Sequence, residues 1–251
     1  MTRPITLVTG TSAGLGAEFA RQCAARGDEL VLVARRRDRL EALAAETGRA
    51  HVIVADLSAP DAPRRLLGEV ERLGLSVSRL INNAGFGLAG RFAALPLARQ
   101  RAMIDLNVAS LTELTHLALP AMLARREGGI LNIASTAAFQ AGPGMAVYFA
   151  SKAFVLSFTE ALHQECRGTG IKVTALCPGP TATEFGEVAG VTSGDFSRYS
   201  LDARRVVSAG LNGLERNQAV VIPGLMNKAT AYATRLLPRA LLRRIVAGLK
   251  I

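Results

Sequence analysis

Six short runs of nearly unbroken apolar residues, spaced by helical patterns, constrain this chain more than any other feature. They lie at 5–9, 29–34, 51–55, 79–81, 129–134 and 171–176, with a seventh strand candidate at 219–222. Strands that alternate apolar and polar residues have one wet face. Runs without alternation are covered on both faces, as in a parallel sheet. The stretches between them, about 14–26, 36–47, 61–73, 96–125, 147–167 and 202–216, carry helical spacing. This order predicts an α/β fold, a Rossmann-like doubly wound parallel sheet of about seven strands with helices on both faces. No repeat, low-complexity linker or charge block divides residues 1–251, so one domain is expected.

Composition narrows the function classes. At 251 residues and 49% hydrophobic, the chain has ample core material and lacks the signature of disorder. Cys23, Cys166 and Cys177 are too few and too scattered for a disulfide framework or zinc finger, which points to a reducing, cytoplasmic compartment. No run of 18 uncharged apolar residues suits a spanning helix, and Gly10 comes too early for a secretory signal. The formal net charge is +10, unevenly spread: after Glu215 there are seven basic residues and no acid. Nucleic-acid binding needs a reading motif beside such charge; none is present and Trp is absent, so no nucleic-acid partner is expected.

Glycines and polar residues gather where the strands end. These are Gly10 to Gly16, Arg35-Arg36-Arg37, Asp56, Asn82-Asn83-Ala84-Gly85, Ser135 and Pro178-Gly179. In an open parallel sheet that edge is where ligands bind. Gly10, Gly14 and Gly16 lie between a strand and a helix, where glycine allows a tight turn and close approach of a pyrophosphate to the helix N-terminus. The spacing G-x3-G-x-G only partly matches the generic dinucleotide fingerprint, and no Gly-Lys-Ser/Thr follows for a P-loop. Gly10-Thr11-Ser12-Ala13-Gly14 also fits the hydrolase elbow G-x-S-x-G, but nine preceding residues leave no strand to supply an oxyanion-hole loop. A helix cap at Ser12 with packing glycines is the plainer alternative.

Tyr148 and Lys152 stand four apart in a predicted helix, one turn apart on one face. An ammonium near a phenol favours the phenolate, so the pair suits proton transfer, although Y-x-x-x-K alone is usually a surface pair. Ser135, at a strand end, could donate a hydrogen bond to a substrate oxygen. His116 and His163 lie in helices without metal-ligand partners, and His51 begins a strand; no metal is expected.

Taken together, Thr9 to Gly16 (T-G-x3-G-x-G), Asn82-Asn83-Ala84-Gly85, Asn107, Ser135, Tyr148-Phe149-Ala150-Ser151-Lys152 and Pro178-Gly179 resemble the short-chain dehydrogenase/reductase family, classical type. The resemblance spans about residues 4–225. It implies an NADP-dependent oxidoreductase of the carbonyl reductase type, with Tyr148 as general acid/base, Ser135 polarising the carbonyl, Lys152 lowering the Tyr148 pKa and Asn107 in a water relay. It implies a cofactor site at Gly10, Thr11, Ser12, Ala13, Gly14, Leu15, Gly16, Asp56, Leu57, Asn83, Ala84, Gly85, Tyr148, Lys152, Pro178, Gly179, Thr181 and Thr183. Within it, Asp56 faces the adenine edge, Asn83 the ribose side, and Thr181 and Thr183 the nicotinamide and phosphate.

Cofactor choice follows from charge. NAD enzymes of this architecture place an acid after strand two, where this chain has Arg35, Arg36 and Arg37. Guanidinium groups pair with a 2′-phosphate, and three cations sit poorly at a helix N-terminus otherwise, so NADP(H) is preferred over NAD(H). Phe86, Phe139, Gln140, Met145 and Phe185 are expected around the substrate, with 184–200 as a Gly-rich lid; the apolar lining suits a hydrophobic ketone or alcohol. Apolar positions in 96–125 and 147–167, among them Leu111, Leu114, Leu117, Leu119, Phe154, Leu156 and Phe158, predict a homodimer or homotetramer. In the tail, 225–251, a basic amphipathic helix starting near Pro238 is expected to pack through Leu241, Ile245 and Leu249 on the lid or a neighbouring subunit; an anionic membrane surface is the less favoured partner. A regulatory NADP-binding protein or a membrane-peripheral scaffold are the alternatives to an enzyme.

Overall fold

A computed structural model describes residues 3–190 and 200–248. Seven parallel strands form one sheet in the order β3-β2-β1-β4-β5-β6-β7. They are β1 (Arg3–Thr9), β2 (Leu30–Ala34), β3 (Ala50–Val54), β4 (Leu75–Asn82), β5 (Gly128–Ile133), β6 (Ile171–Leu176) and β7 (Val220–Val221). Helices α1 (Gly14–Ala25), α2 (Arg37–Thr47), α3 (Ala62–Arg72), α4 (Leu97–Ile104), α5 (Leu111–Arg125), α6 (Ala146–Glu165), α7 (Phe185–Ala189), α8 (Ala203–Glu215), α9 (Leu225–Ala233) and α10 (Arg239–Gly248) follow in chain order.

The unbroken apolar runs work as the double-faced reading requires. In β2, Leu30 and Leu32 enter the core beneath α1, α2 and α8, with Phe19, Leu40 and Leu211. Val31 and Val33 enter the opposite core, beneath α3, α5 and α6, with Leu66, Leu114 and Leu162. Side chains alternate across a strand, so an all-apolar strand feeds two cores. Cys23, Cys166 and Cys177 are buried free thiols.

Four sequence expectations need correcting. The strand expected at 79–81 begins at Leu75, because Ser76 and Ser78 interrupt its apolar run; Ser78 Oγ donates to the Ile5 carbonyl. The single helix expected over 96–125 is divided by a π-helical turn, Asp105–Ser110, which carries Asn107 inward. The final strand shrinks to two residues. A helix not foreseen, α9, follows Gly224, which takes a φ of +87° as it leaves the sheet edge. The tail helix α10 does begin directly after Pro238. Among the described residues, no helix is long and apolar enough to cross a membrane.

Candidate active site

The glycine turn is built by exclusion. After β1 the chain turns at Gly10, whose φ is +71°; a Cβ there would lie 2.8 Å from Asn83 Nδ2 and 2.9 Å from Ala84 Cα. A Cβ on Gly16 would collide with the Gly10 carbonyl, and one on Gly14 would press on Thr183 at 3.2 Å. Asn83 braces the turn: its Nδ2 donates to Thr9 O at 2.8 Å, and Thr9 Oγ1 accepts from the backbone amides of Asn83 and Ala84. The Asn83 Nδ2 is thus spent on the carbonyls of Thr9 and Gly10. The plainer alternative, a helix cap at Ser12, is not what forms. The N-cap of α1 is Ala13, with no side chain capping the first turn, and Ser12 Oγ instead accepts from Arg36 at 3.1 Å. Backbone N–H groups at a helix start, beside a guanidinium and pared of Cβ atoms, fit a dinucleotide pyrophosphate.

The arginines after β2 separate. Arg36 reaches Ser12 O and Oγ, and its Nη2 also meets Glu184 at 3.3 Å. Arg37 pairs along its own helix with Glu41. Arg35 helps hold the exposed Asp56 carboxyl below its ordinary pKa, although the main cause is Ser58, which donates to Asp56 through its hydroxyl and its amide. Leu57 puts its side chain into the core, leaving only backbone toward the edge. Arg39, which the sequence reading passed over, joins Arg36 on Glu184 at 2.9 Å. The unfavourable gathering of cations is therefore partly answered by the chain's own carboxylate.

Ser135, Tyr148 and Lys152 come together where β5 meets α6. Tyr148 is 8% exposed and Lys152 6% exposed. Lys152 Nζ donates to the Ile133 carbonyl at 2.8 Å and stands 5.9 Å from the centre of the Tyr148 ring. Burial pushes the Tyr148 phenol up to about 12, with hydrogen bonding from Ser135 pulling it back. Lys152 is not among the causes of that shift, of which desolvation of the phenolate is the largest. Burial likewise brings the Lys152 amine down to about 8. Asn107, 1% exposed, sits on the π turn: its Nδ2 donates to Phe86 O at 3.0 Å and Ser151 Oγ at 3.1 Å, while its Oδ1 accepts from Phe86 N. Asn107 and Lys152 both flank Gly85, where a Cβ would lie 2.9 Å from Asn107 Oδ1 and 3.5 Å from Lys152 Nζ.

An apolar cluster closes over Tyr148. It joins Met103, Met145, Phe149 and Ala189 with Phe86 and Phe185, and the Phe185 ring lies 5.3 Å from that of Tyr148. Gly87 leaves the room: a Cβ there would meet Phe185 and Met145 within 3.0 Å. Arg99 stacks on the outer face of Phe86, 5.5 Å from its centre. Phe139 is not part of the cluster; it packs with Leu111, Val155 and Cys177. Gln140 follows the turn Thr136–Phe139 in extended backbone. The tail helix reaches the same cluster through Leu242 and Val246, while Leu241 and Ile245 are exposed, a rotation of the face expected from sequence. Leu249 and the lid positions 191–199 lie outside the described residues.

After β6, Pro178 O accepts from Thr136 N, and Thr181 Oγ1 donates to Gly179 O at 3.0 Å. Gly179 abuts Asn227 of α9, a contact no local pattern signals. Two of the three histidines have structural partners: His51 Nε2 with Glu29 at 2.8 Å and His163 Nδ1 with the Val173 carbonyl at 2.7 Å.

A family model described as short chain dehydrogenase matches residues 4–191. Sulfoacetaldehyde reductase 2 of Chromohalobacter salexigens is 39% identical over 186 residues, 72% of this chain and 74% of the relative. A short-chain dehydrogenase from Sphingobium yanoikuyae, solved in complex with NADPH, matches with TM-score 0.81 and 33% identity over 94% of this chain and 97% of that one. The bulky-bulky ketone specific alcohol dehydrogenase from Comamonas testosteroni matches with TM-score 0.77 and 29% identity, over 96% and 97%.

Proposed function

The chain belongs to the short-chain dehydrogenase/reductase family and is an oxidoreductase; from that premise we propose that it interconverts a ketone and a secondary alcohol on an apolar substrate, using NADP(H), with Tyr148 as acid and base. One observation carries the reading. A buried phenol stands with Ser135 and Lys152 beneath an apolar cover, at the sheet edge that also holds the glycine cradle.

A bound nicotinamide supplies or accepts the hydride. The chain's residues manage the proton. Burial raises the Tyr148 phenol to about 12, so it is protonated at neutral pH and holds the proton that passes to the carbonyl oxygen in reduction and returns in oxidation. Ser135 polarises that oxygen as a second donor. Lys152, held at the Ile133 carbonyl, binds the nicotinamide ribose, and Asn107 fixes the Phe86 backbone beside it. The α1 N-terminus takes the pyrophosphate, Arg35 and Arg36 the 2′-phosphate, the ionised Asp56 the adenine edge, and Thr181 and Thr183 the nicotinamide side. The NADPH-bound neighbour supports this cofactor choice.

Phe86, Met145 and Phe185 support a hydrophobic substrate, in line with the bulky-ketone neighbour rather than the small anionic substrate that the name of the sulfoacetaldehyde reductase indicates. The seating of Leu242 and Val246 supports a packing role for the tail over a membrane one. Screening NADPH and NADH oxidation against bulky apolar ketones and small charged aldehydes tests the reading. Faster turnover of the charged aldehydes would reverse the substrate class, and equal rates with NADH would remove the cofactor preference.

A further inference from the structure

One carboxylate joins the two ends of this site. Glu184 is the N-cap of α7, immediately before Phe185, whose ring covers Tyr148. Its two oxygens are held from across the cleft by Arg36 at 3.3 Å and Arg39 at 2.9 Å, both near the start of α2. At its far end α7 is tied down as well: Ala189 O accepts from Ala89 N at 2.8 Å, and Ala189 is buried. The segment from Glu184 to Ala189 thus bridges the arginines after β2 and the loop over the tyrosine.

Arg36 also touches Ser12 O and Oγ within the glycine turn. A phosphate taken by that guanidinium brings up to two negative charges to the position where Glu184 already donates one. Like charges at this range repel, so the phosphate and the Glu184 carboxylate compete for the same guanidinium. The arginines flanking Glu184 hold its carboxyl below the ordinary range, so it is ionised at neutral pH and cannot yield by protonation.

We propose that Glu184 is a charge latch, a positioning residue that keeps Phe185 over Tyr148 through Arg36 and Arg39 and is released when a 2′-phosphorylated adenosine takes Arg36 and repels the carboxylate. The latch makes the substrate cover respond to the phosphate that distinguishes the two nicotinamide cofactors. It rests on the NADP(H) reading above.

The test uses the full-length protein with adenosine 2′,5′-bisphosphate and adenosine 5′-monophosphate, two probes that differ by the 2′-phosphate alone. Hydrogen exchange is followed over residues 184–190. Saturating bisphosphate should speed exchange there, where Val188 N bonds to Glu184 O, and the monophosphate should not. In Glu184→Gln, exchange should be fast before any probe is added. This variant should also bind the bisphosphate roughly two- to fivefold more tightly, the scale of exposed ion pairs, with monophosphate affinity unchanged. Tighter binding alone would mean simple charge removal; unchanged exchange in both proteins would overturn the latch while leaving the cofactor reading intact. Equal affinity of the wild-type protein for both probes would overturn the latch and the NADP(H) preference together.

Discussion

The rings of Phe185 and Tyr148 meet at 5.3 Å with their planes tilted by 46°, so the proposed proton donor is covered by an aromatic side chain from a different part of the sheet edge. Tyr148→Phe keeps that contact and removes only the hydroxyl. Folding and NADPH affinity should match the wild type, while turnover falls by roughly 10²–10⁴-fold, the usual contribution of a positioned acid. Initial rates of NADPH oxidation beside a thermal melt check this; a variant keeping more than about a tenth of the rate would remove Tyr148 from the role.

Gly16→Ala tests the turn. Its added methyl is driven into the Gly10 carbonyl, which accepts from Asn83 Nδ2, while the Gly10 N–H is tied to the Val33 carbonyl of β2, so the turn must open. Overpacking of this kind costs about 1–3 kcal/mol. The melting temperature should fall, and NADPH affinity, followed by cofactor fluorescence, should drop more than its share of that destabilisation explains. Wild-type affinity would show that the turn does not hold the dinucleotide.

Lys152 gives a pH dependence with a defined sign. Burial lowers its pKa from an ordinary 10.5 to about 8, so the folded chain binds fewer protons than the unfolded one between those values. Stability from this residue therefore rises with pH across about 8 to 10.5. Tyr148, raised to about 12, has the opposite sign but acts only above pH 10. Wild type should gain about 1–2 kcal/mol on Lys152→Met between pH 7.5 and 9.5, read from urea midpoints. A difference that stays constant with pH would contradict a buried amine.

Assembly can be tested on α6. Leu111, Leu114 and Leu156, which from sequence look like surplus apolar surface, are buried in the chain's own core. On α6, Phe154 stays 41% exposed and stacks on Phe158 at 5.8 Å. If α6 forms a two-fold contact, Phe154 meets its own copy there, and Phe154→Glu should convert a dimer into a 26.5 kDa particle in light scattering at micromolar concentration. An unchanged particle size would place the contact elsewhere.

The strands were legible because covered strands need apolar residues on both faces, and β2 has no polar position at all. Where partners came from other elements, the residues gave no signal. The π turn at Asn107 exists to reach Phe86, and the amide of Asn83 is claimed by Thr9, 74 residues away. Glu184 answers Arg36 across 148 residues. Arg39 was closer to being readable, since it lies three residues from Arg36 along α2, on one helical face. The tail failed differently: with Leu241, Leu242, Ile245 and Val246 in adjacent pairs, helical spacing could not say which pair faced inward.

The place of β1 between β2 and β4 has a consequence for how the molecule is made. Its neighbour β2 leaves the ribosome soon after it, and β3 next, so three strands can zip together in the order of synthesis. Its other neighbour, β4, must close a loop of about 70 residues, and long loops are slow to close. Asn83 travels with β4, so the brace beneath the glycine turn arrives after the turn's own residues have been made and paired on one side only. The grip on a dinucleotide is therefore acquired late, by a chain that already has much of its secondary structure, and the half-sheet that precedes it exposes one unpaired edge of β1 to neighbouring chains in the meantime.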